Sequence, residues 1–433
     1  MRIVTLLFIA LAILYYQSAP RWLADFRYMT LVARGIWQDG DITLDDWAPA
    51  PHGSADAVPV SDVLPYQFAV HGGHVYHYFP IGTAALIAPF VGIAESLGYS
   101  TLDESGAYDP KNEARIQHYF ASICTALLVA IFFLQTRLYL SWRPALFIAL
   151  AAGLGTPLWS TGGGTLWSHT LSTLGLGTVL ALLMRAEQRN EPPNGIALGC
   201  LLAWMFFVRP TTALSIGVLL PYVIWRWRRA ALPAALTAAG WLVLFSAHSQ
   251  SVWGQWLPPY FQTSRVGGGP TFEALAGNLI SPARGLLIYV PALVPLAALL
   301  IFRWRRLAMR PLVALGAFVC VLHWLVVSSY PHWWGGHSWG PRLMLDLTPW
   351  WVFFAIVVVA EMSERAESSP LPLLIRPQIA TFLVGVGVLM HGIGALSSES
   401  GRWNADVEID AHPERLWDWQ NPPFLHWRQA SRE

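Results

Sequence analysis

The sequence predicts an all-α polytopic membrane protein of about 11 transmembrane helices, with one interfacial helix and folded outer loops. Three observations predict it. Of 433 residues, 55% are apolar and only 12% charged, about half the charge of an ordinary globular domain. Apolar runs of near-membrane length recur along the chain. Arginine is concentrated in alternate short loops, the pattern that orients a multispanning chain. The composition excludes an ordinary soluble enzyme and a disordered chain. A net charge of +1 argues against nucleic acid as a partner.

The expected spans are 3–19, 115–136, 144–160, 165–184, 194–208, 211–225, 230–247, 284–301, 311–329, 343–360 and 378–396. The first reads as an uncleaved anchor. Cleavage after Ala19 would put Gln17 where a small residue belongs and Pro20 just beyond the cut. Loops 137–143, 185–193, 226–229, 302–310 and 361–377 together hold 13 Arg and 5 Glu, so with Arg2 they are assigned to the cytoplasm. The other face then receives segments 20–114, 248–283 and 397–433.

Residues 80–98 are apolar enough to resemble a further span, but a crossing there would invert every later loop. They read instead as a surface or re-entrant helix on the outer side, where Glu95 is tolerable. Cys124, Cys200 and Cys320 lie inside apolar runs and read as small hydrophobes rather than disulfides or metal ligands.

Residues able to do chemistry gather on the outer side. Asp25, Arg27 and Tyr28 follow the first span and precede a short helical run. Asp25 there either caps that helix or takes a proton from a hydroxyl beside the bilayer. His71, His74 and His77 are spaced by three, but Gly72-Gly73 between alternating residues signals a plain hairpin. His169 follows Trp167 at an outer turn, as a packing residue or a site residue.

Arg209, Arg284 and Arg342 each stand beside a Pro or Gly break at an outer edge. Such arginines either snorkel to headgroups or hold a phosphate bidentately. The densest cluster runs from Ser329 to Arg342, with Trp333, Trp334, His337 and Trp339 among glycine and proline breaks. That pattern suits an outer loop folded back into the protein, where indoles stack on a sugar, or else an aromatic belt. Asp346, four residues after Arg342, either orients that arginine or simply neutralises it.

One span, an outer loop opening on Asp25-Phe26-Arg27-Tyr28, and an interfacial segment reached through Tyr78-Phe79-Pro80-Ile81-Gly82 come first. Many spans follow, with a Trp333-Trp334-Gly335-Gly336-His337-Ser338-Trp339-Gly340-Pro341-Arg342 run. This order resembles the bacterial multispanning glycosyltransferases of the GT-C class, among them the protein O-mannosyltransferases and the lipid A aminoarabinose transferases. The resemblance covers 1–396 in architecture, and its local motifs are moderately specific. Residues 397–433, with Trp403, Trp417, Trp419 and Trp427, form a separate outer-face tail.

The resemblance implies a polyprenyl-phosphate-linked sugar as donor and an acceptor hydroxyl on a glycan, lipid or protein. It implies membrane lipid as a partner and catalysis on the periplasmic side of the inner membrane. It also implies an acidic catalytic residue early in the first outer loop, which falls on Asp25. Family members often carry two adjacent acids there. Here Phe26 follows Asp25, and Asp39, Asp41 and Asp46 are the nearby options for a second carboxylate. Whether a divalent metal takes part stays open, and no metal ligands are assigned.

The expected reaction is an inverting hexosyl or pentosyl transfer with Asp25 as general base. Arg27, Tyr28, His169, Trp334 and His337 contact substrate, and Arg209, Arg284 or Arg342 holds the phosphate. The alternatives are a transporter or flippase of a lipid-linked sugar, and a surface-polysaccharide ligase or polymerase. A transporter would be expected to place charges inside its spans near the bilayer centre, whereas here they sit mainly at span edges.

Overall fold

A computed structural model describes residues 2–18, 25–47, 64–262, 266–364, 376–397 and 399–426. The expected cleavage position, Trp427 and much of the loop 361–377 lie outside these residues. The described chain is mostly helical. Helix α1 (Arg2–Tyr16) is followed by α2 (Met29–Gln38), strands β1 (Phe68–His71) and β2 (His74–His77), and α3 (Gly82–Ser96). Then come α4 (Pro110–Thr136), α5 (Trp142–Leu154), α6 (Ser168–Arg189), α7 (Gly195–Val208), α8 (Ala213–Arg226) and α9 (Arg228–Trp253). The chain continues through α10 (Phe272–Ile280), α11 (Leu286–Tyr289), α12 (Leu293–Arg303), α13 (Arg310–Val327), α14 (Thr348–Glu364), α15 (Pro377–Leu396) and α16 (Glu399–Asp406).

Each of the eleven expected spans contains helix, and the number of crossings is not fixed by the helices themselves. Among the described residues, five helical stretches are long and apolar enough to cross a membrane by themselves: Pro110–Thr136, Arg228–Trp253, Arg310–Val327, Arg342–Glu364 and Pro377–Leu396. The expected span 284–301 is two pieces, α11 and α12, separated at Val290-Pro291. Proline lacks the N–H that would continue the ladder, and it drives the residue before it out of helical geometry. The expected span 144–160 stops at Leu154, after which Gly155-Thr156-Pro157 leads into one wide turn at Leu158–Gly162. Helix α3 has 15 residues, about 22 Å of rise against roughly 30 Å of hydrocarbon.

Contacts sort the connecting loops into two ends of the bundle. At one end Arg226 Nε pairs with Glu187 Oε1 at 3.2 Å, Arg303 Nη1 with Glu361 Oε1 at 3.6 Å, and Tyr139 Oη donates to the Met184 carbonyl at 2.7 Å. These are the arginine-rich loops that charge bias places together. The opposite end carries α2, the hairpin, α3 and the aromatic loop.

The hairpin pairs Phe68 with His77 and His71 with His74. Gly72 and Gly73 both have positive φ, 59° and 86°, the geometry that a two-residue turn demands. Helix α3 seats against α7 because Gly82 has no side chain: a Cβ there would stand 2.5 Å from the Phe207 carbonyl. Arg34 Nε donates to Glu95 Oε1 at 2.7 Å and ties α2 to α3.

A long apolar core runs through the bundle, including Leu128, Phe132, Leu180, Trp350 and Phe353. A second core, at the end that carries the hairpin, joins Phe26, Met29, Val32, Phe68, Val75, Phe79, Ile87 and Trp167. A third, small core unites Trp333 and Trp334 with Trp403, Ile409 and Leu416 of the tail. The tail therefore packs on the aromatic loop: Trp403 is fully buried, and Ser281 Oγ donates to the Leu416 carbonyl at 2.6 Å. The three cysteines are free and half-buried.

Candidate active site

The turn that carries Asp25 is built from beneath by a residue that sequence reading passed over. Tyr28 takes the left-handed conformation, φ 72°, just before α2, and α2 has no side-chain cap of its own. Glu113, in the first turn of α4 and fully buried, supplies it. Its carboxylate accepts from Tyr28 N at 2.8 Å, Thr30 N at 3.0 Å, Thr30 Oγ1 at 2.8 Å, Tyr108 Oη at 2.6 Å and Gln117 Nε2 at 3.1 Å. A negative charge at a helix N-terminus is favourable, and this one comes from another helix.

Asp25 is thereby released from capping. Its Oδ2 lies 3.3 Å from Arg342 Nη1, and Tyr66 Oη donates to Oδ1 at 3.3 Å. Burial first, then the adjacent Asp25 carboxylate, pushes the Tyr66 phenol well above its ordinary value, so it stays a donor. The Arg342 guanidinium lies 4.3 Å over the buried Trp167 ring. The Asp25 side chain keeps 27% exposure and that of Arg342 11%, so the pair is partly covered yet reachable.

Asp346 does not orient Arg342. Residues 342–347 form a 3₁₀ helix, which has three residues per turn, so positions four apart face different ways. Asp346 instead accepts from Arg209 Nε at 2.7 Å and His169 Nδ1 at 2.9 Å. Thr211 Oγ1 at 3.4 Å and Ser172 Oγ at 3.3 Å complete its shell. Arg209 Nη1 also donates to Ser168 Oγ at 3.0 Å. The short Arg342–Leu347 segment thus carries both Arg342, on Asp25, and Asp346, on Arg209 and His169.

Arg27 turns from Asp25 toward Tyr108: its Nε donates to Tyr108 Oη at 3.4 Å, and its Cζ lies 4.9 Å from the Tyr28 ring. The Arg27 carbonyl accepts from His77 Nε2 at 2.9 Å, while His77 Nδ1 accepts from Phe79 N at 3.3 Å. Both nitrogens are satisfied only in a neutral ring, and burial lowers the His77 pKa to about 4. His74 instead pairs with Asp45 at 2.6 Å, and the His71 ring lies 5.7 Å from that of Trp253. The three histidines have three separate partners.

Arg284, Trp334 and His337 face the tail rather than Asp25. The fully buried Arg284 guanidinium donates to the Trp334, Gly336 and Ala283 carbonyls and to Asn404 Oδ1. Trp334 Nε1 donates to Asp410 Oδ1 at 2.7 Å, and His337 Nε2 contacts Glu408 Oε1. The loop still touches the Asp25 group, since a Cβ on Gly335 would meet Arg342 Nε at 3.3 Å.

Of the nearby acids considered as a second carboxylate, Asp41 serves its own loop through Thr43 N at 3.0 Å and Thr43 Oγ1 at 2.6 Å. Asp39 follows the end of α2, and Asp46 lies in the next short turn. Glu113 had a faint sequence signal, an acid in the first turn of an apolar helix after Asp109-Pro110. Tyr66 had none.

No protein-family model matches the chain, and no curated protein matches it either. Among solved structures, it is similar to the crystal structure of ArnT from Cupriavidus metallidurans in the apo state. The identity is 13%, the TM-score 0.47, and the match covers 90% of this chain and 70% of that one.

Proposed function

We propose that the chain is a membrane glycosyltransferase that moves a sugar from a polyprenyl-phosphate donor to an acceptor hydroxyl at the outer face of the membrane. The observation that carries this reading is the pairing of Asp25 with Arg342 beside the Arg209–Asp346–His169 group. It supports a base and a phosphate holder within one site.

Asp25 accepts the proton of the acceptor hydroxyl as that oxygen attacks the anomeric carbon. The new carbon–oxygen bond forms on the face opposite the leaving group, so the configuration inverts. The bond from that carbon to the phosphate oxygen breaks, and its electron pair stays on the phosphate. Arg342, with Arg209 behind it, stabilises the charge that develops there. Tyr66 holds Asp25, and Trp167 holds Arg342 in place. Arg27 and Tyr28 position the Asp25 turn. Arg284, whose donors are taken by carbonyls and Asn404, is left out of the phosphate set, as are Trp334 and His337, which face the tail.

The test is transfer of labelled sugar from a polyprenyl-phosphate donor by purified Asp25→Asn. Loss of transfer with normal expression and folding supports the assignment. Near-normal transfer removes Asp25 from the reaction. Transport of the lipid-linked sugar is the second reading, favoured by the nearly complete burial of Arg209, His169 and Asp346 in the helices. Flipping of the donor in vesicles by Asp25→Asn, without transfer by the wild type, would favour it.

A further inference from the structure

We propose that His337, Glu408 and Asp410 form a binding site for one divalent transition cation of the zinc class, which pins the aromatic loop to the C-terminal segment. One ligand-capable atom from each of these three side chains lies within 4.8 Å of the others. His337 Nε2 is 2.5 Å from Glu408 Oε1 and 4.0 Å from Asp410 Oδ2. Around a tetrahedral zinc, with bonds of about 2.0–2.1 Å, ligand atoms stand about 3.4 Å apart. The observed spacings bracket that value, so small side-chain shifts suffice.

Two features beyond the cluster support it. Trp334 Nε1 donates to Asp410 Oδ1 at 2.7 Å, which leaves the other oxygen, Oδ2, turned toward His337. A hydrogen bond from outside the ligand set that orients a ligating carboxylate is a regular part of metal sites. The His332 ring stacks on Trp334 at 4.9 Å and 26°, with Nδ1 3.8 Å from Asp410 Oδ1, so a second imidazole stands at the edge of the group. Gly335 and Gly336, with φ of 73° and 62°, make the reversal that brings His332 and His337 to one side.

The chemistry of the set selects the cation. Two carboxylates on one imidazole leave excess negative charge that a divalent ion offsets. A nitrogen ligand favours zinc, cobalt or nickel over magnesium and calcium, which prefer oxygen. The ligands are exposed, so water can complete the coordination and the ion can reach the site. The group is distinct from Asp25, and its occupancy does not depend on the reaction proposed above.

The experiment is a titration of the purified full-length protein in detergent with Co²⁺, followed by visible absorption, and displacement by Zn²⁺. The expected result is one site per chain, abolished in His337→Ala and in Glu408→Gln/Asp410→Asn. The exposed control His412→Ala should retain it, and Trp334→Phe should weaken it by about 10–100-fold. Far-UV dichroism and the melting temperature confirm that the variants fold. Absence of a cobalt band in the wild type, or a band that survives in folded His337→Ala or is lost equally in His412→Ala, overturns the site and leaves a plain imidazole–carboxylate contact.

Discussion

Arg342 Nη1 stands 3.3 Å from Asp25 Oδ2, across 317 positions of sequence. The contact joins the turn before α2 to the end of the aromatic loop. Residues with no local reason to meet are held together there, with Tyr66 on one side and Trp167 on the other.

Arg342→Lys keeps the charge but loses the planar fork and the stacking on Trp167. Arg342→Ala should lower turnover by about a hundredfold, and Arg342→Lys should recover only part of it. Steady-state transfer assays check this. Full activity in Arg342→Ala would remove the residue from the site.

Glu113→Gln should destabilise the packing of α2 on α4 without touching substrate. The amide cannot accept all five donors that converge on the carboxylate. The expected loss is about 2–3 kcal/mol, read as a fall in melting temperature in detergent. An unchanged melt would show that the Tyr28 turn does not depend on this cap.

His77 makes stability depend on pH on the acid side. Its folded pKa, lowered to about 4 by burial, lies below the roughly 6.5 of an unfolded histidine. The folded state therefore refuses a proton that the unfolded chain accepts. The stabilisation is complete above pH ~6.5 and is lost as pH falls toward ~4, by about 3 kcal/mol in all. His77→Gln keeps a donor for the Arg27 carbonyl and cannot titrate, so its melting temperature should fall less between pH 7 and 5 than that of the wild type. Parallel pH profiles would contradict the assignment.

Asp346→Asn leaves Arg209 buried with only a neutral partner. Breaking one side of such a pair costs about 3–5 kcal/mol, and thermal unfolding in detergent measures it. Asp346→Leu combined with Arg209→Met should recover much of that stability but not transfer. Equal damage from the single and double substitutions would count against an electrostatic cause.

Much of the secondary structure is legible locally. Glycine at 72 and 73 places the hairpin turn, apolar runs locate the helices, and arginine bias sorts the loops into the two ends that their contacts later join. Three helical expectations fail for local reasons, the first where Gly155-Thr156-Pro157 ends the helix of 144–160. Pro291 breaks a run that hydropathy alone treats as continuous, and the tight 342–347 turn breaks the four-residue spacing rule.

The partners were not legible. Glu113 lies 85 positions from Tyr28, and Asp346 lies 137 from Arg209. Composition and periodicity report which stretches avoid water and where the backbone turns, because those costs are set residue by residue. Membrane class and helix positions came from that level, and the family resemblance nominated Asp25. Only the tertiary structure decided that Asp25 meets Arg342, that Arg284 is consumed by the tail, and that Glu113 builds the turn. In a low-dielectric interior an unpaired polar group is costly, and which partner it finds depends on how distant segments pack.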